Sequence, residues 1–214
     1  MILKSLAAAA AILCAGTLVA QPITSPPKPT TKAAIGEPAP AFTLTDLDGK
    51  THNLADYKGK TVVLEWFNAG CPWSGRESAQ SVHATGRVKK LVAAAKKTHA
   101  DVVYLLIDSS ADRPKETIIE QNKSAREKFE IKQPMLVDYD GKVGRLYGAR
   151  TTPHMFVIDG EGVLQYSGAF GDKRAKEDGS ESNFVLVALE KLKAGDPVEP
   201  GQTRPWGCGV KYKR

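Results

Sequence analysis

The segment from Thr61 to Phe67, TVVLEWF, constrains this chain more than any other. It is a β-branched and aromatic run of strand length, continuous enough to be buried on both faces. A strand of that kind has further layers packed above and below it. It runs out into Asn68-Ala69-Gly70-Cys71-Pro72, so a cysteine stands at its C-terminal end.

The residues around this strand supply the other layers. Before it, Phe42 and Leu44 alternate ahead of an Asp48-Gly49 turn, and Asn53 and Leu54 follow, which predicts a short N-terminal β-hairpin. After it, Val88, Leu91, Val92 and Ala95 recur at helical spacing, predicting a helix from Trp73 to about Lys97. A buried strand is expected over Asp101 to Ile107. Pro114 then opens a helix striped by Ile118, Asn122, Ala125 and Phe129. Met135 to Val137 reads as a third strand and Val143 to Tyr147 as a helical turn. Met155 to Ile158 and Val163 to Tyr166 flank Asp159-Gly160-Glu161-Gly162 as a hairpin, and Phe184, Ala188 and Leu192 mark a last helix. Parallel units come first and an antiparallel hairpin last. That order suits an α/β fold, a thioredoxin-like α/β sandwich with a mixed central sheet.

The ends of the chain read differently. Residues 1–20, MILKSLAAAAAILCAGTLVA, place Lys4 before a small, apolar run that closes on Ala20, the pattern of a secretory signal peptide. The run is shorter than the roughly 20 residues of a membrane-spanning helix, so no stable membrane insertion is expected after cleavage. Leu13 before Cys14 argues against a lipoprotein signal, which carries a small residue there. Residues 21–35 form a Pro/Thr-rich linker, and the folded domain is expected over 36–194. The extension 195–214 contains Pro197, Pro200 and Pro205, shows no periodicity and carries Cys208; it reads as irregular. An exported chain is periplasmic if its host is Gram-negative. The net charge of +6 is spread over Lys89, Lys90, Lys96, Lys97 and the tail, as on solvated faces, and implies no nucleic-acid partner.

Signal removal leaves two of the three cysteines, Cys71 and Cys208, in a compartment that permits disulfides. Cys71 ends a buried strand and precedes a proline favoured in the first helical turn. Its sulfur is therefore expected among the unpaired amides of a helix N-terminus, which favour the reactive thiolate. Thr152-Pro153 lies just before the Met155 strand, where a thioredoxin-like fold places a cis proline beside the working thiol. Cys208 lies about 14 residues past the last helix, and an extended chain spans at most roughly 3.3–3.6 Å per residue, so it can reach Cys71. Three roles stay open for it: a resolving thiol, half of a structural staple, or an unpaired thiol. His154 beside Pro153 reads as structural, and no histidine shows ligand spacing with the cysteines, so neither metal nor cofactor is implied.

The stretches IGEPAPAFTLTDLDGK, VVLEWFNAGCPW, LYGARTTPHMFVIDGEG and LQYSGAF together resemble the redoxin (alkyl hydroperoxide reductase/thiol-specific antioxidant) family of the thioredoxin superfamily. RPWGCGVKY further resembles a peroxiredoxin-like subgroup that ends in a Gly-Cys-x-Val/Ile-Lys-aromatic motif. The resemblance implies an oxidoreductase that reduces a protein disulfide or a peroxide and is recharged by an external thiol reductant. It implies Cys71 as nucleophile and a groove shaped by Trp73, Ser74, Thr152 and Pro153. Departures accompany it. Thioredoxins carry C-x-x-C, and here the motif reads Cys71-Pro72-Trp73-Ser74, without the local second thiol. Typical peroxiredoxins place their cysteine at the position of Ser74, with a threonine three residues earlier, where this chain has Cys71. A non-enzymatic module that keeps the fold and binds a partner in the groove is the competing expectation.

Overall fold

The computed structural model describes residues 32–174 and 182–213; the leader and nearly all of the linker lie outside the described residues. The expected hairpin forms as β1 (Thr43–Asp46) and β2 (Thr51–Asn53) around Gly49, whose φ of 82° fits a turn that only glycine makes without strain. Then comes β3 (Val62–Trp66), with all five residues buried. Further along stand α1 (Arg87–Thr98), β4 (Val103–Asp108), α2 (Lys115–Lys128), β5 (Met135–Val137) and α3 (Lys142–Tyr147). The chain finishes with β6 (Thr151–Thr152), β7 (His154–Ile158), β8 (Leu164–Gly168), α4 (Phe184–Ala194) and β9 (Cys208–Gly209).

Seven strands make one mixed sheet in the order β2-β1-β5-β4-β3-β7-β8. Buried on both faces as its composition predicts, β3 is an interior strand, parallel to β4 on one side and antiparallel to β7 on the other. Successive side chains of a strand point to opposite faces. Val63 and Phe67 therefore enter one core with Val88 and Leu91 of α1 and Val185 and Leu189 of α4. Leu64 and Trp66 enter the other, with Leu105, Ile107, Phe156 and Tyr147. Each such fully buried side chain contributes about 1.5–3 kcal/mol.

Glu65 lies on the first of these faces and is fully buried. Its carboxylate accepts the Tyr104 hydroxyl at 2.7 Å and sits 2.9 Å from His83 Nε2. Burial, with the adjoining carboxylate, holds the Tyr104 phenol well above its usual range, so it stays a donor. Through His83 this cluster ties the central strand to the loop that follows Cys71.

One expectation is corrected. The helix expected from Trp73 begins only at Arg87, and residues 72–86 form consecutive turns. The Ser78 and Ser81 hydroxyls donate to the carbonyls of Pro72 and Ser74, and Gly86 takes a left-handed φ of 73° immediately before α1. Serines that bond nearby backbone compete with helix in this way. The C-terminal extension is irregular apart from the two-residue β9, which pairs antiparallel with β6, and it packs along the body. Among the described residues no helix is long and apolar enough to cross a membrane.

Candidate active site at Cys71

Cys71 emerges from β3 into the turn segment, and its residue is only 2% exposed. Its backbone closes two tight turns: its carbonyl accepts from the amides of Ser74 at 3.1 Å and Arg76 at 2.9 Å. The expected helix N-terminus is absent, since α1 starts fifteen residues past Pro72. Of the anticipated fringe of amides, Trp73 N–H reaches the sulfur, at 3.4 Å. The thiol itself donates to the Thr152 carbonyl at 3.1 Å.

The bond between Thr152 and Pro153 is cis, as the fold context predicts. It places the Thr152 carbonyl against Cys71, and Thr152 is also the residue that pairs with Cys208 in the β6–β9 register. One residue therefore touches both cysteines. Both are free thiols. Burial pushes Cys208 up to about 11, and the neighbouring Cys71 pushes in the same direction; Lys211 and Arg76 oppose them. At neutral pH Cys208 is protonated.

The remaining groove residues divide. Trp73 is half-buried, with the Lys173 ammonium 4.5 Å above its ring and Trp206 edge-on at 5.7 Å. Trp206 also stacks under the Arg87 guanidinium and donates its indole N–H to the Gly171 carbonyl at 2.8 Å. Ser74, expected to line the groove, is fully buried, and its hydroxyl oxygen faces the Asn68 amide at 3.5 Å; it supports the loop from within. Thr152 is buried with its hydroxyl unpartnered, so its carbonyl is the group that acts on sulfur. His154 accepts from the Arg150 amide at 3.2 Å and lies on Phe156 with ring centroids 4.5 Å apart. Burial, aided by Arg150, holds it down at about 3, so it is a neutral structural ring. Sequence reasoning missed Trp206 and Gly207, which seat Cys208; the Trp-Gly-Cys-Gly string was their only signal. Among the described residues no group of three or more His, Cys, Asp or Glu side chains converges as a metal site.

The model of the AhpC/TSA family matches residues 35–167, stopping before the C-terminal segment. The thiol-disulfide oxidoreductase ResA of Geobacillus thermodenitrificans is 28% identical over 135 residues, 63% of this chain and 69% of that one. The chloroplastic peroxiredoxin Q of Triticum aestivum is 30% identical over 146 residues, covering 63% of this chain and 58% of that one. An uncharacterised conserved protein from Geobacillus kaustophilus superposes with a TM-score of 0.69 at 26% identity, over 84% of this chain and 93% of that one. The thioredoxin domain of a thiol-disulfide oxidoreductase from Bacteroides vulgatus gives a TM-score of 0.51 at 29% identity, over 66% and 93%. With the family matched over most of the sheet, and a cysteine held against the Thr152 carbonyl that precedes a cis proline, the chain belongs to the AhpC/TSA family and is an oxidoreductase of the thioredoxin fold.

Proposed function

We propose that this is an exported thiol-dependent oxidoreductase in which Cys71 attacks a peroxide or a disulfide and Cys208 resolves the product within the same chain. The observation that carries the reading is the β6–β9 register, which puts Cys208 opposite Thr152 while the Thr152 carbonyl holds the Cys71 sulfur. The local second thiol of C-x-x-C is replaced by one delivered from the C-terminal segment.

With a peroxide, the Cys71 thiolate attacks one oxygen, the O–O bond breaks, and the other oxygen leaves as alkoxide or hydroxide and takes up a proton. Cys208 then attacks the sulfenic sulfur, its proton leaves with the departing oxygen as water, and the Cys71–Cys208 disulfide remains. With a disulfide, Cys71 expels one thiolate to form a mixed disulfide, and Cys208 expels the other. An external thiol reductant returns both cysteines to the reduced state. ResA and peroxiredoxin Q are named for these two chemistries, and the residues here serve either. Export rests on the leader at residues 1–20.

The test follows both thiols by mass spectrometry with alkylation, before and after a small excess of hydrogen peroxide. The parent should gain a readily reduced Cys71–Cys208 bridge. Cys208→Ser should accumulate oxidised Cys71, and Cys71→Ser should lose all thiol-dependent turnover. A Cys71 inert to oxidant and alkylating agent, with turnover unchanged in Cys71→Ser, overturns the reading and favours a binding module.

A further inference from the structure

We infer that the C-terminal segment sets the size of the substrate: Trp206, Gly207 and Cys208 fill the strand edge beside Cys71, so the reduced protein serves small peroxides and low-molecular-weight disulfides and excludes polypeptide disulfides. The inference rests on the reading of Cys71 as the attacking thiol and narrows what that thiol can meet.

An extended polypeptide that approaches a short exposed strand pairs with it through main-chain hydrogen bonds, and these bonds supply much of its affinity. The strand next to Cys71 is β6, and its edge is already taken. Thr151 pairs with Gly209 and Thr152 with Cys208, and the Val210 amide extends the ladder by donating to the Arg150 carbonyl at 3.0 Å. A peptide carrying a disulfide to Cys71 along this edge has first to displace the chain's own strand.

The segment is not loosely laid. At Gly207 a Cβ would stand 2.2 Å from the Thr152 carbonyl oxygen, so the two backbones approach more closely than any side chain permits. Upstream, Thr203 lies over Gly168, where a Cβ would meet its hydroxyl at 2.1 Å; that hydroxyl bonds Tyr166 at 2.6 Å and accepts from the Ala169 amide at 2.9 Å. Downstream, Tyr212 fills the space over Gly144 and donates to the Ala149 carbonyl at 2.8 Å. The cover is thus anchored on both sides of Cys208, with Trp206 locked against Trp73 between the anchors. Beneath it Cys71 keeps only 2% of its surface. A peroxide a few atoms long needs only local motion to reach that sulfur. A disulfide embedded in two polypeptides also needs room for chain on either side, and that room is occupied.

The test isolates the first attack. In Cys208→Ser no resolution follows, so the mixed disulfide on Cys71 accumulates and its rate of formation is read directly. The probes are hydroxyethyl disulfide and the symmetric disulfide of an unstructured peptide of about ten residues with a central cysteine, each rate being divided by the probe's rate with dithiothreitol. The small probe should react at least about tenfold faster than the peptide. A chain ending at Arg204, which lacks the cover and Cys208 together, should recover about that tenfold for the peptide while changing the small-probe rate by less than about threefold. Gly207→Ala added to Cys208→Ser should move the peptide rate in the same direction if the shorter chain does not fold. Equal reaction of both probes with Cys208→Ser overturns the inference, as does equal acceleration of both on removing the cover. Cys71 unreactive toward both probes and toward hydrogen peroxide overturns the redox reading itself, a distinct outcome.

Discussion

Gly207→Ala is the sharpest perturbation of the proposed resolving step. Gly207 sits at φ 125°, where residues with a Cβ are strained by about 1–3 kcal/mol, and its neighbour there is the rigid Thr152 carbonyl rather than a flexible side chain. The methyl group would stand 2.2 Å from that oxygen, so the strand around Cys208 has to lift. The penalty falls on the seated arrangement alone, because a lifted segment relaxes freely. Each 1.4 kcal/mol is tenfold in the ratio of seated to lifted segment, so that ratio should fall about tenfold to a hundredfold, and bridge closure slows by as much once the lifted form prevails. Rapid mixing with hydrogen peroxide, quenching with an alkylating agent and mass analysis would follow closure of the Cys71–Cys208 bridge directly. Closure should slow by that factor while the first oxidation of Cys71 does not slow, and more Cys71 should advance to the sulfinic acid because its sulfenic form waits longer. The Trp73–Trp206 contact gives an independent readout, since lifting the strand should change tryptophan fluorescence. Closure within about twofold of the parent, with unchanged fluorescence, would refute the reasoning.

Other outcomes follow from the core. Glu65→Ala strips partners from the buried Tyr104 hydroxyl and His83 ring at once and should cost about 3 kcal/mol or more in urea unfolding; a loss below about 1 kcal/mol would show that the cluster is not needed. Ser109 accepts the Trp66 indole N–H at 2.9 Å and donates to Asp138 at 2.6 Å, so Ser109→Ala should cost about 1–3 kcal/mol by the same assay, and an unchanged midpoint would contradict it. His154 gives a pH test. Its folded value of about 3 lies below the ordinary 6.5, so between these limits the unfolded chain binds the extra proton. Its share of stability is complete above pH 6.5 and declines as pH falls toward 3, by up to about 1.4 kcal/mol per pH unit. His154→Gln should remove that slope. If parent and variant lose stability in parallel between pH 6.5 and 4.5, the buried neutral ring is wrong.

How much of this was legible beforehand divides along a physical line. The burial of β3 on both faces, the Asp48-Gly49 hairpin and the β7–β8 hairpin follow from local composition and turn chemistry, and the structure has all three. The cis bond before Pro153 was reachable because the fold context, once assembled, leaves one place for it. The helix expected at Cys71 failed for a local reason that periodicity cannot register. The apolar spacing of Val88, Leu91, Val92 and Ala95 is real and gives α1, but Ser78, Ser81 and Gly86 divert the preceding residues into turns. Glu65 stands within an apolar run, and its partners His83 and Tyr104 lie 18 and 39 residues away; nothing in the run itself names them.

The C-terminal segment is the instructive case, because its structure is almost wholly non-local. Its three prolines and lack of period correctly argue against a helix or a long strand, and β9 has just two residues. What fixes the segment is a set of matched absences on the body: Gly168 makes room for Thr203, Gly144 makes room for Tyr212, and Gly207 lets the strand lie flat against Thr152. Each pairing joins a glycine, invisible to hydrophobic patterning, with a residue far off in the chain or with bare backbone. The same close approach that hides the segment from sequence reasoning carries Cys208 to Cys71. A C-x-x-C protein carries its second thiol in the loop beside the first. Here the second cysteine stands on a strand paired with β6, so on the proposed reading the means of resolving Cys71 and the means of restricting access to it are one piece of chain. Mutations that loosen the segment should therefore slow bridge formation and widen substrate acceptance together. A variant that did one without the other would separate two roles that the β6–β9 register joins.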